Sequence, residues 1–194
     1  MTRKEQAQQT KHKLLEIATK LIQKNGYDNV KLTDICKEAG VSIGAFYHHF
    51  RNKSDIVVEL YRECDEVFEN EVYPAFMHRN DIEAVYDYLG FQMEYGEQFG
   101  VDMVVQIYKA QITDGAEFFL SMDRGLPKGL IHILEHLQQE NVISSEKSAE
   151  EIASELLILS RGILYNWCQC HGNYDLKQKN RTIISNYMSS YKKA

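Results

Sequence analysis

The sequence is poor in proline and glycine, with 2 Pro and 11 Gly among 194 residues. So few turn-forming residues leave little material for a turn-rich β-sandwich, a collagen-like repeat or a disordered tail. No apolar run approaches the roughly 18 residues that cross a bilayer, which excludes a membrane-spanning helix. Residues 1–13 are polar and lack the apolar stretch of a signal peptide, so we expect no secretion signal.

Cysteine is scarce as well, since the chain has 4 Cys in no evident disulfide framework. This usage is typical of reduced thiols and predicts a cytoplasmic location. The sequence shows no phosphate-binding glycine loop, no dinucleotide-binding glycine motif and no nucleophile elbow. We therefore expect no enzyme and no cofactor.

Charge is divided unevenly along the chain, although the net charge is −6. Residues 1–62 carry 11 Lys and Arg against 7 Asp and Glu, a net of +4. Residues 63–194 carry 11 against 21, a net of −10. The asymmetry indicates either an anionic partner at one end of the molecule or two ordinary solvated faces.

The N-terminal third has the pattern of three short helices. Gly26 ends a first helix, and we expect Thr33 to cap a second helix that Gly40 closes after about two turns. Ser42 then caps a short segment that runs to Phe50, which together give a helix-turn-helix. The apolar face of the first helix comprises Leu14, Ile17, Ala18, Leu21 and Ile22.

The remaining two thirds is predicted to be helical throughout. Asn52 is expected to cap a fourth helix that runs to about residue 78 and is kinked or broken near Pro74. No segment alternates in the manner of a strand, so the fold class is all-α. Further helices are predicted over 81–99, 101–113, 126–140, 147–171 and 175–192.

Residues 39–55 read Ala-Gly-Val-Ser-Ile-Gly-Ala-Phe-Tyr-His-His-Phe-Arg-Asn-Lys-Ser-Asp. A Gly-Val-Ser turn, a glycine two residues later, and then Tyr-x-His-Phe-x-x-Lys resemble the TetR family of bacterial transcriptional regulators at every fixed position. With the first helix the resemblance covers residues 10–60. Cys36 stands where the family more often has alanine, a small apolar exchange from which we expect no functional change.

The resemblance implies an N-terminal three-helix DNA-binding domain and a C-terminal helical domain that binds a ligand and dimerises. We place the first at residues 8–68, with the helix-turn-helix motif at about 31–50, and the second at 69–194. The expected partners are a double-stranded DNA operator, a small-molecule effector and a second copy of the chain. A repressor that a ligand releases from a palindromic operator is the function implied.

The DNA contacts implied by the resemblance suit the residue types. The helix beginning at Ser42 would enter the major groove, where small side chains let its backbone approach the bases. Phe46 and Phe50 are predicted to lie in the core. Because this helix offers few side-chain donors, we expect thymine methyl groups and DNA shape to dominate recognition. The residues expected to contact DNA are Thr33, Ser42, Ile43, Gly44, Ala45, Tyr47, His48 and Lys53.

Basic residues near the N-terminus leave two interpretations open. They form either an arm that reaches phosphates or the minor groove, or a solubilising tail. These residues are Arg3, Lys4, Lys11 and Lys13.

Aromatic and aliphatic residues in the acidic part suggest a ligand cavity, although such residues are also typical of a core. Glu94 and Glu97 would favour a cationic ligand, or they belong to a solvated face. The candidate lining residues are Phe68, Phe91, Tyr95, Ile107, Tyr108 and Trp167.

The segment 147–171 is apolar over more than one face, which indicates burial against its own domain and against a partner. With the last helix it would form the four-helix contact of a two-fold dimer. The last helix would contribute Ile183, Ile184, Tyr187, Met188 and Tyr191.

Two clusters suggest metal binding without establishing it. His132, Glu135 and His136 match a zinc-protease pattern, but no third ligand can be assigned. Cys168, Cys170 and His171 lack the spacing of a standard zinc half-site, so we expect no metal there. A metal-sensing or small-molecule-binding helical protein without specific DNA recognition is the alternative function.

Overall fold

A computed structural model describes residues 2–113 and 116–193, with only the backbone described at 116 and 117. Within this part of the chain the fold is helical, and its one strand-like feature is an isolated antiparallel bridge between Ile143 and Lys192. None of the described helices is both long and apolar enough to span a membrane. The α-helices are α1 Arg3–Asn25, α2 Leu32–Ala39, α3 Ile43–Tyr47, α4 Lys53–Val67, α5 Tyr73–Phe76, α6 Glu83–Thr113, α7 Ala116–Leu120, α8 Gly125–Gln139, α9 Ala149–Gln169 and α10 Leu176–Met188.

The chain divides into two compact units. The first comprises Met1–Arg62 and Asp102–Gly115, and the second comprises Glu63–Val101 and Ala116–Ala194. Helices α4 and α6 therefore contribute residues to both units. Gly100 interrupts α6 with non-helical dihedral angles, φ 79° and ψ 163°, at the boundary that the sequence predicts between 99 and 101.

Helix α1 begins earlier than its apolar face alone indicates. Thr2 caps it, because the Thr2 hydroxyl accepts from the Glu5 amide at 3.2 Å while the Glu5 carboxylate accepts from the Thr2 amide at 2.8 Å. This reciprocal pair starts the helix at Arg3. The basic residues Arg3, Lys4, Lys11 and Lys13 therefore lie in a helix rather than in an extended arm or tail.

The helix-turn-helix forms as the sequence predicts, with one correction. Helix α2 begins at Leu32 with Lys31 as its N-cap, so Thr33 lies inside the first turn and is not the cap. The reason is that the Asp34 carboxylate accepts from the Lys31 amide at 3.1 Å, which moves the helix start toward the N-terminus. Gly40 ends α2 in the left-handed conformation, φ 66° and ψ 32°.

The core of the first unit joins α1, α2 and α3. Phe46 and Phe50 are buried as predicted, and their ring centroids lie 5.3 Å apart. These two rings anchor the short α3 on the two longer helices. The other buried residues of these helices are Leu14, Leu15, Ala18, Ile22, Ile35, Cys36 and Ala39.

The predicted fourth helix breaks earlier than Pro74. Its α-helical hydrogen bonding ends at Val67, a π-helical turn covers Phe68–Val72, and Pro74 then lies in the first turn of α5. A proline is tolerated there because the first amides of a helix have no helical acceptor.

The second unit buries both α9 and α10 against its own core. Ile184 and Met188 are 0% exposed inside that core, so they cannot form the predicted dimer contact. The exposed apolar residues of α9 are instead Ile158 and Tyr165, at 64% and 55% exposure. The prediction was wrong for Ile184 and Met188, because an apolar stripe in the sequence does not distinguish a domain core from an interface. For Ile183, Tyr187 and Tyr191 it stays a prediction.

Candidate DNA-binding surface

Helix α3 is a single capped turn that offers side chains to solvent. The Ser42 hydroxyl accepts from the Ala45 amide at 3.1 Å, which fixes the start of the helix. Phe46 is fully buried beneath it, whereas Ile43 is 45% exposed and Tyr47 is 58% exposed. One ring thus anchors α3 while its neighbours point outward, and Phe46 and Tyr47 meet edge to face at 5.8 Å.

Most of the predicted contact residues in the helix-turn-helix are exposed to solvent. Ala45 is half-buried, and Thr33, Ser42, Gly44 and His48 are exposed together with the pair Ile43 and Tyr47. The surface offers an apolar side chain at Ile43 and hydrogen-bond donors at Thr33, Ser42, Tyr47 and His48. Such a surface can meet thymine methyl groups and phosphate oxygens.

Next to α3, the start of α4 carries a hydrogen-bonded cap. The Asn52 side-chain oxygen accepts from the Asp55 amide at 3.0 Å, as its predicted capping role requires. The Asp55 carboxylate accepts instead from the Arg51 amide at 2.8 Å and pairs with the Arg51 guanidinium. These hydrogen bonds from Arg51 lower the pKa of Asp55.

Two basic residues on this surface were missed at the sequence level. Arg51 holds an 85% exposed guanidinium beside the end of α3. Lys37 is exposed on α2, one helical turn after Thr33, and the four-residue spacing was the signal that could have identified it. Arg51 adds positive charge beside the end of α3, and Lys37 adds it on the exposed side of α2.

Lys53 differs from the other predicted contact residues because its ammonium group is engaged within the chain. Its Nζ donates to the carbonyl oxygens of Tyr27 and Val30 at 2.6 Å and 2.9 Å. It also lies 4.0 Å from the centroid of the Tyr27 ring. Burial lowers the pKa of Lys53, and the charge of Asp28 opposes this shift.

Three of the candidate ligand residues belong to one aromatic cluster in the second unit. Phe68 is fully buried and lies 5.3 Å from the Tyr88 ring and 6.0 Å from the Tyr95 ring. Phe91 joins the same aromatic cluster through Phe76, which contacts both Phe91 and Tyr88 at centroid distances of 5.8 Å and 5.9 Å.

The other three candidates are Trp167, Ile107 and Tyr108. Trp167 donates its indole N–H to the Tyr174 carbonyl at 3.2 Å, which holds it against the loop before α10. Ile107 and Tyr108 belong to the first unit, not to the second. Glu94 pairs with Lys177, and Glu97 accepts from the Leu176 amide at 3.3 Å, so both carboxylates fasten α10.

The second unit contains a buried polar centre that the sequence did not indicate. The Asp65 carboxylate accepts from the amides of Gly125 and Leu126 at 3.0 Å and 3.1 Å, and from the Arg124 guanidinium at 3.1 Å. It thereby satisfies the first amides of α8. Arg124 is only 6% exposed, and burial raises the pKa of the adjacent Cys64 to about 12.

The two clusters considered for metal differ in their surroundings. Burial raises the pKa of Cys168 to about 11, which disfavours the thiolate that binds metals, while Cys170 is exposed. The His136 ring meets the Asn80 side chain at 2.5 Å, and the His132 ring packs on Tyr73. Among residues 2–113 and 116–193 no group of three or more potential metal ligands converges.

A capped helix-turn-helix with an exposed α3 defines a DNA-binding regulatory protein. In agreement with this class, residues 14–60 match the sequence model of the bacterial regulatory proteins of the tetR family. Over these residues the chain is similar to the TetR family of transcriptional regulators. The HTH-type transcriptional regulator AcrR of Shigella flexneri is 23% identical over 197 residues, covering 97% of this chain and 92% of that regulator.

Two solved structures show the same fold. FadR of Thermus thermophilus, a TetR-family repressor solved in complex with lauroyl-CoA, has a TM-score of 0.69 at 19% identity. The match covers 90% of this chain and 92% of that protein. A transcriptional regulator from Saccharomonospora viridis, solved in complex with choline, has a TM-score of 0.67 at 17% identity, over 96% of this chain and 100% of that protein.

Proposed function

We propose that this chain is a cytoplasmic repressor that binds a palindromic operator as a homodimer and leaves it when a small molecule binds. Residues 8–68, with the helix-turn-helix motif at about 31–50, form the DNA-binding domain in this proposal, and 69–194 bind the effector and dimerise. The observation that carries the proposal is the outward position of Ile43 and Tyr47 on a turn anchored by the buried Phe46.

The DNA contacts follow from that surface. Ile43, Gly44, Ala45 and Tyr47 face the bases of the major groove, where the ring of Tyr47 can cover a thymine methyl group. Thr33, Ser42 and His48 donate to phosphate oxygens on either side. With two such surfaces related by a two-fold axis, the operator repeats its half-site as an inverted sequence.

A selection of duplexes from a random DNA library tests this function and identifies the operator at the same time. The full-length protein is expected to enrich an inverted repeat, with half-sites about one helical turn or a multiple of it apart. It should bind that operator at least about 10³-fold tighter than a shuffled duplex at physiological salt. Enrichment of no sequence would contradict the proposal.

The dimer contact is proposed on the exposed face of α9. Ile158 and Tyr165 lie about two helical turns apart and are the large apolar side chains that α9 leaves in solvent. Ile158→Glu is expected to give monomers in sedimentation velocity experiments, while Gln139→Glu, which adds the same charge at an exposed position of α8, should leave the dimer intact. A dimer unaffected by Ile158→Glu would contradict this placement.

The effector is proposed to be a small molecule with a large apolar part, held near the aromatic residues Phe68, Phe91 and Tyr95. The support is the cluster that these rings form with Tyr88 and Phe76, together with the lauroyl-CoA bound by the similar FadR. Ile107, Tyr108 and Trp167 remain predicted lining residues.

The chain has one tryptophan, Trp167, so its fluorescence reports on ligand titrations without a label. Lauroyl-CoA, coenzyme A alone and choline are suitable first probes, and operator release measured by fluorescence anisotropy is the second readout. Lauroyl-CoA should release the operator and coenzyme A alone should not. Phe91→Ala, at a ring that is 36% exposed, should weaken release while the ligand-free protein keeps its operator affinity.

A further inference from the structure

Lys53 is the first residue of α4, yet its ammonium group faces the loop between α1 and α2. Nζ donates to the Tyr27 and Val30 carbonyls at 2.6 Å and 2.9 Å. An ammonium has three hydrogens, so two of them are committed within the chain. The cation also stands 4.0 Å from the centroid of the Tyr27 ring, a distance typical of a cation–π contact.

The ammonium group of Lys53 is partly enclosed by other groups of the chain. Val30, whose carbonyl accepts the second hydrogen bond, is itself only 3% exposed. The ring face and the two carbonyl dipoles take the place of part of the water around this partly buried charge. Burial accordingly lowers the pKa of Lys53, while Asp28 supplies the nearby negative charge.

In the sequence, the two ends of this contact lie before and after α3. Val30 directly precedes Lys31, the N-cap of α2, and Lys53 follows the five residues 48–52 that leave α3. Helix α3 is a single turn, and the buried rings that fix it to the domain are those of Phe46 and Phe50. A clamp between the start of α2 and the start of α4 therefore restricts the angle at which α3 stands.

We propose that Lys53 is a positioning residue for DNA recognition, which holds the segment after α3 against the α1–α2 loop and thereby sets the direction of Tyr47. The inference rests on the proposed DNA-binding function. It assigns Lys53 a role different from the phosphate contact that its sequence motif implies.

The two roles differ in their dependence on salt. A lysine on a phosphate releases counterions, so its removal reduces the slope of log affinity against log salt by about 0.9 and weakens all duplexes alike. A lysine that positions α3 leaves the slope unchanged. Its removal lowers the affinity for the operator but spares the shuffled duplex.

The test uses full-length protein, the operator obtained by selection and a shuffled duplex, titrated at several salt concentrations. Lys53→Met keeps the apolar stem and removes the charge and the donors. Lys24→Met removes an exposed charge of α1, at a position given no role in DNA binding, and serves as the matched control. All titrations are done at a temperature at which circular dichroism shows each variant to be folded.

Lys53→Met is expected to lower the operator-to-shuffled affinity ratio at least about fivefold, as for the loss of one base-specific contact. Its salt slope should equal that of the wild type, and Lys24→Met should leave both the ratio and the slope unchanged. A slope reduced by about 0.9 with an unchanged ratio would establish a phosphate contact and overturn the proposal. A lower melting temperature with unchanged slope and ratio would leave only a structural role and also overturn it.

Tyr27→Leu provides a second variant should Lys53→Met not fold. It removes the ring beneath the ammonium and leaves the charge of Lys53 in place. The ratio should fall in the same direction, whereas a phosphate-binding Lys53 predicts no change. A wild-type protein that does not distinguish the two duplexes would instead contradict the proposed function itself.

Discussion

The two units of the molecule use their small and polar residues for opposite purposes. In the first unit Ser42, Gly44 and Tyr47 are exposed at a one-turn helix that the buried Phe46 and Phe50 anchor. In the second unit Asp65 and Gly125 are pressed together at the start of α8. The first unit thus leaves these residues exposed for a partner, whereas the polar groups of the second unit stabilise its own fold.

The largest effect is expected from breaking the buried polar centre of the second unit. Asp65→Ala leaves the Arg124 guanidinium without its carboxylate and the first amides of α8 without an acceptor. Loss of one partner of a buried pair costs about 3–5 kcal/mol, which should appear as a lower free energy of unfolding in urea. Asp123→Ala is the control, because that side chain is 91% exposed and should change stability by less than about 0.5 kcal/mol. Equal effects of the two substitutions would contradict this account.

Gly125→Ala is expected to be nearly as damaging for a steric reason. A Cβ atom at Gly125 would lie 2.0 Å from the Asp65 carbonyl oxygen, a backbone atom that cannot move aside without shifting α4. Overpacking of this kind costs about 1–3 kcal/mol or more, measurable as a lower urea midpoint. A urea midpoint at or above that of the wild type would show that α8 can move away from Asp65 without loss of stability.

Gly44→Ala should have the opposite effect, because it is expected to lower operator affinity without lowering stability. The added Cβ meets only the Ser42 hydroxyl oxygen at 3.8 Å, and alanine favours the helix by up to about 1 kcal/mol. Stability should therefore be unchanged or raised. Operator affinity should fall about tenfold, the equivalent of about 1.4 kcal/mol, because the backbone of α3 can no longer approach the bases closely. Anisotropy titrations and thermal melts of the same sample separate the two effects, and full operator affinity would exclude a close approach at Gly44.

The smallest effect is expected from changing the DNA instead of the protein. Replacement of single thymines in the operator by deoxyuridine removes one methyl group and keeps every hydrogen-bonding atom. At a thymine that meets Tyr47 or Ile43 the loss should be about 0.8 kcal/mol, roughly fourfold in affinity. Guanine substitutions that cost more than every thymine substitution would contradict recognition through methyl groups.

The first unit could be predicted because its determinants are local. The cap of α3 joins residues three apart, Ser42 and Ala45, and the cap of α4 joins Asn52 and Asp55. Such contacts are visible in a motif. Thr33 is the exception, since Asp34 competes for the same helix start and moves the cap to Lys31.

The second unit and the Lys53 contact depend on residues distant in sequence. Asp65 reaches Arg124 and Gly125 across 59 and 60 residues, and Lys53 reaches Val30 across 23. No periodicity reports such pairs. For the same reason the apolar stripe of the last helix suggested an interface, whereas tertiary packing places Ile184 and Met188 in the core.

The central claim is that the exposed face of α3 binds the operator, and Tyr47→Ala tests it most directly. The ring is 58% exposed, so its removal should leave the urea midpoint unchanged. In anisotropy titrations at physiological salt, Tyr47→Ala should weaken the free energy of operator binding by about 1–3 kcal/mol. Binding to a shuffled duplex should change little. An operator affinity equal to that of the wild type would contradict the placement of α3 on DNA.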